Sequence, residues 1–156
     1  MAARVAPGLA TLLKEGKIAH SRVSRSMVLK ELDAASTDLK EARDSQKRGG
    51  LKWATIQAYY SIFHSARALL YAKGYREKGH RGLLRALREL YRAELREDLL
   101  DDFEDAIGMR EAADYGGVYS DEGARAVTET AEDFLDSART ILKSRLNVSR
   151  EHKKLC

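Results

Sequence analysis

Two arginines and an aspartate occupy positions that helical periodicity assigns to apolar side chains. Arg67 shares one face with Ile56, Tyr60, Phe63 and Leu70, and it is the sole formally charged residue between Lys52 and Lys73. Arg110 and Asp114 stand four apart on the face that carries Leu99, Phe103 and Ile107, where an i,i+4 ion pair is geometrically available. A charge left unpaired in a helical core is costly, so each of these groups must find a partner. Two chemistries fit. One is a structural lock, in which Arg67, Arg110 and Asp114 lie together and hold two helices in register. The other is a phosphate site, because the planar guanidinium fork matches phosphate oxygens and the aspartate would orient it. The lock is the preferred reading, since inward ion pairs also serve purely structural ends.

The histidines divide in the same way. His64 lies one turn from Tyr60 and from Arg67 or Ala68, as a general base or as a satisfied packing residue. His80 sits in GYREKGHRGLL at the start of a helix, whose positive end should lower its pKa. A neutral imidazole there either accepts a hydrogen bond from a ligand or caps local backbone. His20 and His152 fall in basic terminal stretches. No histidine pair has metal-ligand spacing with supporting carboxylates, so no metal site is expected, and nothing in the sequence calls for a cofactor. There is neither a glycine-rich phosphate loop nor a nucleophile elbow.

The elements that must position these groups read as helices throughout. A third of the residues are charged, at 33%, so the nearly uncharged stretch from Trp53 to Ala72 is an interior helix. Its apolar arc is widened by Tyr59, Ile62, Ala66 and Leu69, and the opposite face of Ala58, Ser61, Ser65, Ala68 and Ala72 is small rather than charged, so the helix is expected to be packed on nearly all sides. A short helix is expected over Ala6–Glu15. Ser24 caps a second, which carries Val28, Leu32, Ala35, Leu39 and Ala42 until Gly49-Gly50 stops it. The interior helix ends near Gly74, and the region Gly79 to Gly82 opens a fourth with Leu83, Leu84, Leu87 and Tyr91. A fifth runs from about Glu97 to Ala113. Gly116-Gly117 breaks the chain, and Ser120 caps a sixth whose core face is Val127, Ala131, Phe134, Leu135, Ala138 and Leu142. No segment reads as a strand. The fold class is all-α, an up-and-down bundle of five to six helices forming a single domain over residues 1–156, with its core at about 25–143 and basic extensions at both ends.

Composition narrows the function classes. The polar groups of the interior helix make a membrane span costly, the first residues lack the apolar core of a signal peptide, and Cys156 excludes an internal disulfide. A cytoplasmic protein without membrane contact is expected. The net charge of +4 is unevenly spread: residues 73–92 carry seven Lys/Arg against two acids, whereas 94–114 carry nine acids against two arginines. Basic stretches attract RNA or another polyanion, but solvated and locally paired helix faces are the preferred reading.

The block AYYSIFHSARALLYAKGYREKGHRGLL, followed by LLDDFEDAIGMREAADYG and an Ala- and Glu-rich helix, resembles a HEPN domain. It is similar above all to small stand-alone HEPN proteins with YYxxFHxARALL, then GxxxKxHxGL, then RxxADY, and the likeness spans about residues 25–143. The resemblance implies a helical bundle that usually dimerises. It places Tyr59, Tyr60, Phe63, His64 and Arg67 on the central helix, His80 in the loop motif, and Arg110, Asp114 and Tyr115 in the third motif. Many HEPN proteins are metal-independent ribonucleases using an arginine followed, after four to six residues, by a histidine. After Arg110 those positions are Tyr115, Gly116 and Gly117. The formal match at Arg145 and His152 lies in the C-terminal extension and is read as coincidence. In toxin members paired with a nucleotidyltransferase, a tyrosine two beyond the histidine accepts nucleotidyl groups; here that position is Gly117.

Three functions follow from this comparison. The first and preferred is a binding module for nucleotide, RNA or a nucleotidyltransferase partner, as in toxin–antitoxin systems, with Tyr60, His64, Arg67, His80, Arg110, Asp114 and Tyr115 as its site. The second is a ribonuclease with an altered site, using Arg110 with His64 or His80. The third is a purely structural dimerisation module.

Overall fold

The computed structural model describes residues 5–154, and side chains as far as residue 144. The chain runs α1 (Pro7–Lys14), β1 (Ile18–His20), α2 (Arg25–Lys47), α3 (Leu51–Ala72), β2 (Tyr75–Glu77), α4 (His80–Leu90), α5 (Glu97–Tyr115) and α6 (Asp121–Lys154). The architecture is an all-α bundle centred on α3, which touches α2, α6, α5 and α4. Arg4 and Cys156, and the side chains of Arg145 and His152, lie outside the described residues. No helix among the described residues is long and apolar enough to cross a membrane.

Local chemistry sets the helix ends. The Ser24 hydroxyl accepts from the Met27 amide at 3.3 Å, and the Ser120 hydroxyl accepts from the Gly123 amide at 2.9 Å. Between α2 and α3 the chain reverses at Gly49, whose φ of +77° suits a residue without Cβ. The two long helices then pack along their whole length, burying Val28, Leu32, Ala35, Leu39 and Ala42 of α2.

Two sequence expectations need correction. First, β1 and β2 are strands, paired antiparallel in the register Ile18↔Glu77, Ala19↔Arg76 and His20↔Tyr75. Three residues are too few to display an alternating pattern, and only Ile18 is buried in β1, so no periodicity announces them. Second, the small face of α3 is buried, as a helix packed on nearly all sides requires, but part of the aromatic arc is not. Ala58, Ser61, Ser65 and Ala68 are fully buried, whereas Tyr60 is 37% exposed and Phe63 and Arg67 lie at the rim. Small side chains let neighbouring backbones come close: the Ser61 hydroxyl donates to the Ala35 carbonyl of α2 at 2.7 Å. The aromatic arc thereby becomes the edge of the core.

Candidate functional site

That edge carries a chain of rings. Tyr59 and Tyr60 meet edge to face at 5.5 Å between centroids, Tyr60 meets Phe63 at 6.5 Å, and Phe63 meets His64 at 5.8 Å. His80, the first residue of α4, closes the set at 5.8 Å from Tyr59 and 6.2 Å from Phe63. One turn of α3 separates Phe63 from Tyr59 or Tyr60, so helical spacing alone stacks three of these rings. An arginine stands at each end.

At one end, α5 brings Arg110 among three tyrosines. Its guanidinium carbon lies 5.7 Å from the Tyr59 ring, 5.8 Å from Tyr60 and 5.6 Å from Tyr115, within cation–π range. The side chain is 12% exposed, donates to the Tyr60 hydroxyl at 3.3 Å and pairs with Asp114 at 3.3 Å. Its Nε is buried and has no hydrogen-bond partner among the described residues. Burial disfavours the charge, but Tyr60, Tyr115 and Asp114 outweigh that penalty and raise the Arg110 pKa. Tyr115, 78% exposed, stands open beside it.

At the other end, Arg67 donates through Nε to Glu77 Oε1 at 2.7 Å, reaches the same oxygen through Nη2 at 2.6 Å, and lies 3.7 Å from Glu31. Its guanidinium covers the Phe63 ring at 4.3 Å. His64 lies between two carboxylates of α2, with Nδ1 2.6 Å from Glu31 and Nε2 3.6 Å from Asp38. Burial raises the Asp38 pKa, and the charge of His64 opposes the rise. The expected cluster of Arg67, Arg110 and Asp114 is therefore divided. Among the described residues Asp114 pairs with Arg110 alone, and Arg67 is satisfied by Glu77 from β2, the strand that the sequence did not announce. Glu31, Asp38 and Glu77 were missed as partners. Glu31 and Asp38 stand seven residues apart, two turns of one α2 face, which was a legible signal.

His80 joins the two ends. Its Nδ1 lies 2.6 Å from the Tyr59 hydroxyl. Burial lowers the His80 pKa, Arg110 and Arg81 add to the effect, and Glu111 opposes it. The direction is the one expected, with burial and cationic neighbours as its cause. Burial also pushes the Tyr59 phenol far above its ordinary range, against the charge of Arg110. A phenol that stays protonated beside a neutral imidazole donates to Nδ1, which puts the imidazole proton on Nε2. Neither candidate base is then free: His80 Nδ1 accepts a hydrogen bond from the Tyr59 hydroxyl, and both nitrogens of His64 face carboxylates. Among the described residues, no three His, Cys, Asp or Glu side chains converge as metal ligands do.

A family model described as the HEPN domain matches residues 29–148. Among solved structures, the crystal structure of TT1696 from Thermus thermophilus shares 19% identity with this chain at a TM-score of 0.63. The match covers 72% of this chain and 96% of that one, and at such identity the likeness is one of fold. A search of curated proteins finds no match.

Proposed function

The chain belongs to the HEPN domain family, and from that premise we propose that it is a binding module for a nucleotide or for RNA that does not cleave its ligand. Residues 1–156 form one domain with basic extensions. Tyr60 and Tyr115 present ring faces to a base, and Arg110, oriented by Asp114 and the Tyr60 hydroxyl, receives a phosphate oxygen. The observation that carries this reading is the exposure of Tyr115 and Tyr60 around a guanidinium that is itself largely buried. A lock with no further role would cover those rings.

The other end of the strip has a structural role. Arg67, His64, Glu31 and Glu77 tie α2 and β2 to α3, while His80 and Tyr59 fix the ring set between the two ends. Two copies pair through α3 and α5, so the site lines the seam between them, and the ligand is RNA or a nucleotide supplied by a nucleotidyltransferase partner in a toxin–antitoxin-like system in the cytoplasm. The altered-site ribonuclease is disfavoured because both histidines already have partners. Incubating the purified protein with a mixed RNA pool in EDTA tests this directly. Intact RNA is the expected result. Cleavage that disappears in Arg110→Ala and in His64→Ala or His80→Ala would replace the binding module with the nuclease.

A further inference from the structure

A hollow whose charged lining is entirely cationic adjoins the strip at His80. It encloses about 370 Å³ and is walled by Lys17, Lys78, Arg81 and Arg85, with no acidic residue in its lining. Its construction follows from the short sheet. The register that pairs Ile18 with Glu77 brings Lys17 opposite Lys78, and the Lys78 amide donates to the Lys17 carbonyl at 2.9 Å. Gly82 lets that strand end lie against the first turn of α4, since a Cβ there would stand 2.8 Å from the Lys17 carbonyl oxygen. The packing thus forces two like charges together across the strands, an arrangement that lowers stability unless something neutralises it.

No described acidic side chain neutralises the two lysines. Lys17, Lys78 and Arg81 have no ion-pair partner among the described residues, and Arg85 reaches only Glu15, at 3.8 Å. On the neighbouring face of α4, Arg88 is by contrast shared among Glu97, Asp101 and Glu104. Four cations converging on one hollow, two of them set against each other by the sheet register, call for an anion with several oxygens.

We infer that this hollow is a phosphate-binding pocket, in which Lys17, Lys78, Arg81 and Arg85 hold a phosphate or diphosphate group. His80 lines both the pocket and the ring strip. A ligand that stacks on Tyr60 therefore has a phosphate site beyond the contact of Tyr59 with His80. The pocket goes beyond the α3–α5 site and depends on that reading only for the source of the phosphate, which is a nucleotide or an RNA backbone.

Calorimetric titration of the full chain with pyrophosphate tests the pocket, alongside a Lys17→Glu/Arg81→Glu double variant. Both side chains are exposed, so the reversal spares the core. Saturable pyrophosphate binding is expected, weakened at least roughly tenfold in the double variant, with the salt dependence of affinity falling by about one per cation removed. Parallel titrations with ATP and with a single-stranded RNA identify the source by which of the two loses affinity in the same variant. An absence of pyrophosphate binding, or binding unchanged by the double substitution, would overturn the pocket. Failure of the α3–α5 reading has a different signature: RNA affinity indifferent to Tyr115→Ala while pyrophosphate affinity still falls in the double variant.

Discussion

The Tyr59 hydroxyl lies 2.6 Å from His80 Nδ1, joining the centre of α3 to the first residue of α4. The bond fixes which imidazole nitrogen accepts and which carries the proton. It also makes His80 a reporter of the whole strip, because the same ring meets Phe63 and senses the charge of Arg110.

The pH dependence follows from the lowered pKa of His80. The unfolded chain binds the proton near the ordinary value of about 6.5, more readily than the folded chain does. The stability contributed by a neutral His80 is complete above that pH and is lost as pH falls through the lower folded value. Urea denaturation at pH 8, 6.5 and 5 should show a fall in stability on the acid side that is shallower in His80→Gln. Equal slopes in the two proteins would remove His80 from the account.

The two arginines should differ sharply in what their partners contribute to stability. Removing Arg67 strands Glu77, whose side chain is 6% exposed and whose Oε2 already lacks a partner, so Arg67→Ala should cost about 3 kcal/mol. Asp114 is at the surface and, among the described residues, pairs only with Arg110, so Asp114→Ala should cost less than about 1 kcal/mol. Thermal denaturation of both variants reads the contrast. Equal losses would restore the shared lock that the sequence suggested.

Dimerisation should depend on the apolar surface at the end of α5. Val118 and Tyr119 are exposed and border a hollow of about 180 Å³ with Thr55, Met109 and Ala112. A seam through α3 and α5 that covers this surface would bury the standard ~1,600 Å² in total. Light scattering at micromolar concentration should give twice the 17.5 kDa chain mass, and Val118→Asp should give the single-chain mass. A monomer in the unsubstituted protein would remove the seam from the account.

The helical frame was legible because its signals are local. Ser24, Gly49-Gly50 and Ser120 mark helix ends through hydrogen bonds and dihedral angles that neighbouring residues decide. What lay beyond the sequence was relational. A helix apolar on one side and small on the other has no single outer face, so the wheel of α3 could not show that Ala58 and Ser61 would take the closest packing and leave Tyr60 at the rim. The partners of Arg67 come from α2 and from a three-residue strand, neither of them a neighbour on its own helix. Arg110 with Asp114, by contrast, is an i,i+4 pair, and there the spacing and the structure agree.

On the proposed reading, Arg110 and Tyr115 bind RNA or a nucleotide at the open end of the ring strip. Fluorescence anisotropy of a labelled single-stranded RNA in EDTA, compared between the unsubstituted protein, Tyr115→Ala and Arg110→Ala, measures it most directly. Losing one base–aromatic stack is worth roughly 1–3 kcal/mol, so Tyr115→Ala should weaken binding about tenfold, and Arg110→Ala at least as much, with the RNA intact. RNA affinity unchanged in both variants would contradict the account.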